Sequence, residues 1–260
     1  MTTTPKTLIT GASSGIGAVY ADRLAKRGHD LVLVARDKAR LDEIAAKLHA
    51  ETAVSIEVIA ADLTNEADLV AVEAKLREDA AISTLVNNAG ASGAGNFALA
   101  DPNEISRLIS LNVTAVTRLA NAVAGRFAKQ GNGTIINIAS VVGLAPELHM
   151  AVYGATKAFV LFLSQGLQAE LGPRGVRVQA VLPAATQTDI WRRSGADMNN
   201  LPPMMKVDDL VDAALSGLDQ GELITIPPLS DTSMWDAYQA ARQAMLPDFA
   251  GTKPAPRYTV

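Results

Sequence analysis

The sequence predicts an α/β fold, a doubly wound parallel sheet with helices on both faces. Three observations predict it. Short β-branched apolar runs alternate with longer amphipathic stretches along most of the chain, the pattern of right-handed βαβ crossovers. The runs are nearly all apolar, as strands buried on two sides require. Polar and glycine clusters follow one run after another, so they gather at the carboxyl edge of the sheet, where open parallel sheets bind ligands.

The elements follow in order. A strand at Thr7–Thr10 leads into Gly11, Gly15 and Gly17 and a helix over about 15–28. Glycine inside an element costs roughly 0.5–1 kcal/mol relative to alanine. Three of them at this turn point to backbone amides that approach a phosphate at the positive end of the first helix. The second strand, Leu31–Ala35, runs into Arg36 and a helix over about 38–50. The third, Ser55–Ala60, reaches Asp62 before a helix at 66–79, and the fourth, Thr84–Val86, precedes N-N-A-G at 87–90 and a long helix at 103–129. Thr134–Ala139 ends on Ser140 and is followed by a helix at 151–171; Val176–Leu182 runs into Pro183–Thr188. Residues 184–206 lack periodicity and carry Trp191, Met198, Pro202, Pro203, Met204 and Met205, which read as a short helical lid or as a seal on the domain edge. A helix at 207–219 and a strand at Leu223–Ile226 complete one domain over 1–260.

Inventory excludes several functions. The 23 basic and 27 acidic side chains leave a formal charge of −4 with no basic run, so no nucleic acid partner is expected. Cysteine is absent, which removes disulfides, thiolate metal sites and cysteine nucleophiles. No histidine pair has metal-ligand spacing, and no metal is expected. Met1–Lys6 is polar and no apolar run reaches about 18 residues, so the chain reads as soluble and cytoplasmic, without a membrane partner.

Several residues carry chemistry. Tyr153 and Lys157 lie four apart in a helical stretch and share a face, either as an ordinary surface pair or as an ammonium that lowers the pKa of a phenol. A phenol so tuned is a usable proton donor to a reduced ketone. Ser140 follows a buried strand at the ligand edge, where it can bond a substrate oxygen or cap a turn. Asn112 interrupts the apolar stripe Ile105, Leu108, Ile109, Val116; a buried amide needs partners, and a helix kink is the alternative reason for it. His149 reads as a mouth-lining or a surface residue.

The T-G-x-x-x-G-I-G turn, N-N-A-G, Asn112, Ser140 and Tyr153-x-x-x-Lys157, in this order, resemble the short-chain dehydrogenase/reductase family over nearly the whole chain. The resemblance implies a Rossmann-type sheet and a nicotinamide cofactor. Its pyrophosphate turn corresponds to Thr10, Gly11, Ser13, Ser14, Gly15, Ile16 and Gly17. Asp62 with Leu63 matches the adenine position, Asn87, Asn88, Ala89 and Gly90 the ribose side, and Pro183 and Thr188 the nicotinamide side. Asn112, Ser140, Tyr153 and Lys157 match the catalytic tetrad, with Lys157 also on the nicotinamide ribose. Pro183-Ala184 replaces the usual Pro-Gly, which puts the shape of that loop in question.

The implied activity is hydride exchange with a small carbonyl or secondary alcohol, apolar in character if the methionines line its cavity. A silent cofactor-binding scaffold, an NAD-linked alcohol dehydrogenase of the same family and an epimerase or dehydratase are the rivals. Arg36, beside Ala35 where NAD enzymes carry an acid, favours NADP(H) over NAD(H); Asp37 either caps the next helix or returns a carboxylate to the ribose. A homo-oligomer, a tetramer or a dimer, is implied too, with Ala115, Ala122, Phe159, Phe162 and Gly166 as candidate partner-facing residues.

Overall fold

The computed structural model describes residues 4–93, 97–193 and 203–258. Seven parallel strands, β1 (Lys6–Thr10), β2 (Asp30–Ala35), β3 (Ile56–Ala60), β4 (Ile82–Asn87), β5 (Gly133–Ile138), β6 (Val176–Val181) and β7 (Ile224–Thr225), lie in the order β3-β2-β1-β4-β5-β6-β7. The order reverses between β1 and β4, which opens a crevice at their carboxyl ends. The helices are α1 (Gly15–Lys26), α2 (Lys38–Thr52), α3 (Glu66–Glu78), α4 (Pro102–Ile109), α5 (Val116–Gln130), α6 (Ala151–Leu171), α7 (Ile190–Arg193), α8 (Val207–Gln220) and α9 (Ser233–Ala244).

Side chains alternate across each strand, so neighbours in sequence enter different cores. Leu8, Val32, Val34, Leu85 and Ile135 join α3 and α5 on one face, whereas Ile9, Leu31, Leu33, Val86 and Ile136 join α1, α2 and α8 on the other. Each large side chain so buried contributes about 1.5–3 kcal/mol. Leu119, Val123 and Phe127 thus seat α5 on the sheet. Ala115 and Ala122, expected to face a partner, belong to this core instead, because they fall on the same helix face. By length and hydropathy, Pro102–Gln130 is a candidate membrane span, but its inner face is spent on this packing.

The helix expected at 103–129 is not uniform. Ser110–Ala115 forms a π-helical segment between α4 and α5. Polar caps define other helix starts: the Asp37 carboxylate accepts from Arg40 N at 3.1 Å, that of Asp101 from Asn103 N at 2.9 Å, and the Asn65 carbonyl from Ala67 N at 2.9 Å.

The chain divides into two compact units, Met1–Pro227 and Pro228–Val260, and all seven strands belong to the first. The second holds α9 and two short 3₁₀ turns. Trp235 and Tyr238 stack there at 5.4 Å, and none of its described residues is buried.

Candidate active site

The glycine turn is built by close approach as much as by backbone freedom. Gly11 holds φ +67°, and a Cβ on it would lie 2.8 Å from Asn88 Nδ2 and 2.9 Å from Ala89 Cα. A Cβ on Gly17 would collide with the Gly11 carbonyl oxygen and Asn88 Nδ2. Asn88 clamps the turn: its Nδ2 donates to the carbonyls of Thr10 at 2.8 Å and Gly11 at 3.2 Å. The Thr10 hydroxyl accepts from Asn88 N and Ala89 N, both at 3.0 Å. The Asn88 side chain is therefore committed to the protein. Ser14 begins α1 in extended conformation, and no acidic residue lies in the first turn. The amides of Ile16 and Gly17 sit at that N-terminus, where a helix leaves its first donors without internal partners. This cradle fits the diphosphate of a dinucleotide.

At the ends of β2 and β3, Arg36 is exposed and reaches within 4.0 Å of the Asp62 carboxylate. Asp37 caps α2, accepting from Arg40 N. Burial pushes the Asp62 carboxyl up, but bonds from Thr64 N and Oγ1 and the charges of Arg36 and Arg107 outweigh it, leaving the group below its usual range. Leu63 is buried in the core.

Four residues converge at the ends of β4 and β5. The Lys157 ammonium donates to the Ile138 carbonyl at 2.8 Å and lies 5.8 Å from the centre of the Tyr153 ring. Ser140 Oγ donates to the Pro183 carbonyl at 3.2 Å and accepts from Val142 N at 3.2 Å. Asn112, 1% exposed, sits in the π segment; its Oδ1 accepts from Ala91 N at 3.0 Å and its Nδ2 donates to Ala91 O at 2.9 Å and to Thr156 Oγ1 at 3.1 Å. The amide thus has both the partners and the helix distortion that its buried position called for. Gly90 floors the space between them: a Cβ on it would lie 3.3 Å from Asn112 Oδ1 and 3.5 Å from Lys157 Nζ.

Burial pushes the Tyr153 phenol up, and a hydrogen bond with Ser140 pulls it partly back. Burial pushes Lys157 down to about 8. The expectation that the ammonium lowers the phenol's pKa is not met in this geometry. Nζ is spent on a backbone carbonyl and lies over the ring face, so desolvation governs both groups.

A family model described as short chain dehydrogenase matches residues 6–199. The chain belongs to the short-chain dehydrogenase/reductase family. It is 61% identical to a short-chain dehydrogenase from Sphingobium yanoikuyae solved in complex with NADPH, with a TM-score of 0.96 over 98% of this chain and 100% of that one. It is 56% identical to a bulky-bulky ketone specific alcohol dehydrogenase from Comamonas testosteroni, with a TM-score of 0.93 over the full length of both. A very-long-chain 3-oxoacyl-CoA reductase of Danio rerio is 37% identical over 71% of this chain, a match that spans only 59% of that protein. The short-chain dehydrogenase/reductase fold and the oxidoreductase class follow from these likenesses.

Other expected residues of this dehydrogenase fall at the same edge. Thr188 faces the glycine turn, where a Cβ on Gly15 would lie 3.2 Å from its methyl. Ala184 has no positive φ among the described residues, so the missing glycine leaves no strain. Of the expected lid, Met198 and Pro202 lie outside the described residues. Met205 packs against the core and seals it, pairing with Thr186 in a β-bridge, while Trp191 Nε1 donates to the Thr186 carbonyl at 2.7 Å. His149 is exposed and holds φ +54°. Among the described residues no group of three His, Asp or Glu could hold a metal ion.

Sequence reasoning missed further features near these strand ends. Phe97, Leu99 and Leu148, on the segments after β4 and β5, are 65%, 85% and 52% exposed. Asn87 Nδ2 donates to Asn137 Oδ1 at 3.0 Å, and Asn137 Nδ2 to Ser164 Oγ at 2.9 Å, a buried chain from β4 through β5 to α6. Polar residues inside apolar strands and helices were the available signal for it.

Proposed function

We propose that this protein is an NADP(H)-dependent ketoreductase of the cytoplasm, acting on ketones with apolar and bulky substituents and on the corresponding secondary alcohols. The observation that carries the reading is the convergence of Ser140, Tyr153, Lys157 and Asn112 beside the Gly11–Gly17 cradle. Gly11, Ser13, Ser14, Gly15, Ile16 and Gly17 would hold the pyrophosphate, Arg36 and Asp62 the adenosine end, and Gly90, Lys157, Pro183 and Thr188 the nicotinamide end. When bound, the nicotinamide supplies or takes the hydride.

In the reductive direction Tyr153 carries the proton for the carbonyl oxygen. Burial keeps its phenol protonated at neutral pH, so the acid is loaded before substrate arrives. Ser140 Oγ, now on Pro183, can turn its hydroxyl to the same oxygen and orient it. Lys157 remains charged below about pH 8 and places positive potential beside the developing alkoxide. Exposed Phe97, Leu99 and Leu148 favour an apolar substrate, and likeness to the bulky-bulky ketone specific alcohol dehydrogenase from Comamonas testosteroni supports large substituents on both sides.

Arg36 supports a preference for NADP(H), since its planar guanidinium suits a 2′-phosphate and Asp37 is already engaged at α2. The experiment is a ketone and alcohol panel run with both cofactors. Higher kcat/KM with NADPH is expected, and Ala35→Asp with Arg36→Ile should reverse the preference mainly through KM. Equal or better kcat/KM with NADH in the unmodified enzyme overturns the role of Arg36, and cofactor binding without turnover of any carbonyl compound would favour a silent scaffold instead.

A further inference from the structure

Thr156 stands one residue before Lys157, is 4% exposed, and bonds to Asn112 and to the Tyr153 carbonyl. Its hydroxyl has a single proton, which it donates to the Tyr153 carbonyl at 2.7 Å. Only lone pairs remain for a second partner. Asn112 fills that role, donating from Nδ2 at 3.1 Å across from the π segment. Asn112 in turn exchanges two hydrogen bonds with the Ala91 backbone just after N-N-A-G. A continuous chain of bonds therefore runs from the loop after β4, through Asn112 and Thr156, to the first turn of α6.

We propose that Thr156 is a positioning residue: acting through Asn112, it holds the Tyr153–Lys157 turn in register with Gly90 and Ala91, the floor of the site. The inference rests on the ketoreductase reading. Without the threonine oxygen, one N–H of a buried amide has no acceptor, and the π segment and α6 lose their side-chain link. A hydrogen bond fixes distance and direction more tightly than packing contacts do.

Three variants test it. Thr156→Val keeps the shape and removes the hydroxyl; Thr156→Ala removes it in a residue that suits a helix, and serves if the valine variant does not fold; Thr156→Ser keeps the hydroxyl. The first two should lower kcat by about fivefold or more with KM changed less than about twofold, and serine should restore the wild-type value within about twofold. In an Asn112→Ala background, removing the hydroxyl should cost no further activity, because the path through Asn112 is already cut.

Independently of turnover, the side-chain NH₂ protons of Asn112 should exchange with solvent faster in the hydroxyl-free variants than in the wild type or Thr156→Ser, read by ¹⁵N NMR on enzyme without cofactor. Wild-type kcat in both hydroxyl-free variants, or losses that multiply with Asn112→Ala, overturns the proposal. If the unmodified enzyme reduces no ketone, the functional reading fails, and amide-proton exchange alone decides this one: rates unchanged by loss of the hydroxyl overturn it.

Discussion

At the scale of single residues, the chemistry depends on two buried groups that desolvation pushes in opposite directions. The Tyr153 phenol is raised and Lys157 is lowered to about 8. Tyr153→Phe keeps the ring and deletes the acid, so cofactor affinity should stay within a few-fold while kcat falls by about 10²–10⁴. Retention of more than about a tenth of wild-type kcat would reject the assignment. The same pair fixes the sign of the pH dependence. Reduction needs the protonated phenol and benefits from the ammonium, so its rate should decline as pH rises through about 8, where Lys157 discharges. Oxidation needs the phenolate and should rise with pH over the same interval. Initial rates in both directions between pH 6 and 10 check this, and parallel profiles would contradict it.

At the scale of elements, the distance between serine and tyrosine is set by backbone against backbone. The 3₁₀ turn Val141–Leu144 that follows Ser140 lies directly on α6. A Cβ on Gly143 would come within 2.7 Å of Ala158 N and 2.8 Å of Lys157 C, and one on Gly154 within 3.1 Å of the Val142 carbonyl oxygen. Neither neighbour is a flexible side chain that could yield. Gly143→Ala should therefore push the Ser140 turn off α6, lowering kcat by about tenfold or more along with the melting temperature. Gly125→Ala, in a helix with open space around it, is the control and should stabilise slightly. Unchanged kcat in Gly143→Ala would show that the turn adjusts without cost.

The same scale explains what was legible in the sequence. Apolar runs revealed all seven strands, since residues such as Leu31–Val34 are buried on both faces and leave no other reading. The motif residues Ser140, Tyr153 and Lys157 were visible because their spacing is local. The π segment was legible only as a kink at Asn112, because the apolar stripe runs from Leu108 to Val116 whether the turn is α or π. Thr156, Asn137 and Ser164 were missed because their partners lie on other elements, and nothing in a sequence marks which distant group a small polar residue will meet. Asn88 and Leu63 match cofactor positions by resemblance, and the sequence did not show that their side chains clamp the glycine turn and fill the core. α9 was not read from the sequence, although Met234, Trp235 and Tyr238 recur at helical spacing against Asp236, Gln239 and Gln243.

At the scale of the whole molecule, α6 leaves Phe159 39% and Phe162 75% exposed, with open space beside Gly166. Aromatic surface of this kind on a long helix favours a covering copy of the chain. We expect a homo-oligomer, a tetramer with dihedral symmetry rather than a dimer, so light scattering should give a multiple of 27.2 kDa, and Phe162→Asp should lower it. A monomer mass at micromolar concentration would refute the assembly.

All the proposed chemistry collects where the strands end, at Thr10, Arg36, Asp62, Asn88 and Ser140, while the opposite rim, where Lys6, Asp30, Ile82, Gly133 and Val176 begin their strands, carries none of it. The fold thereby separates two kinds of mutational risk. In a random library, losses of thermal tolerance should trace to the starting rim and the interior, and losses of turnover at unchanged tolerance to the finishing rim. An engineer can then raise durability on one side of the protein while retuning selectivity on the other.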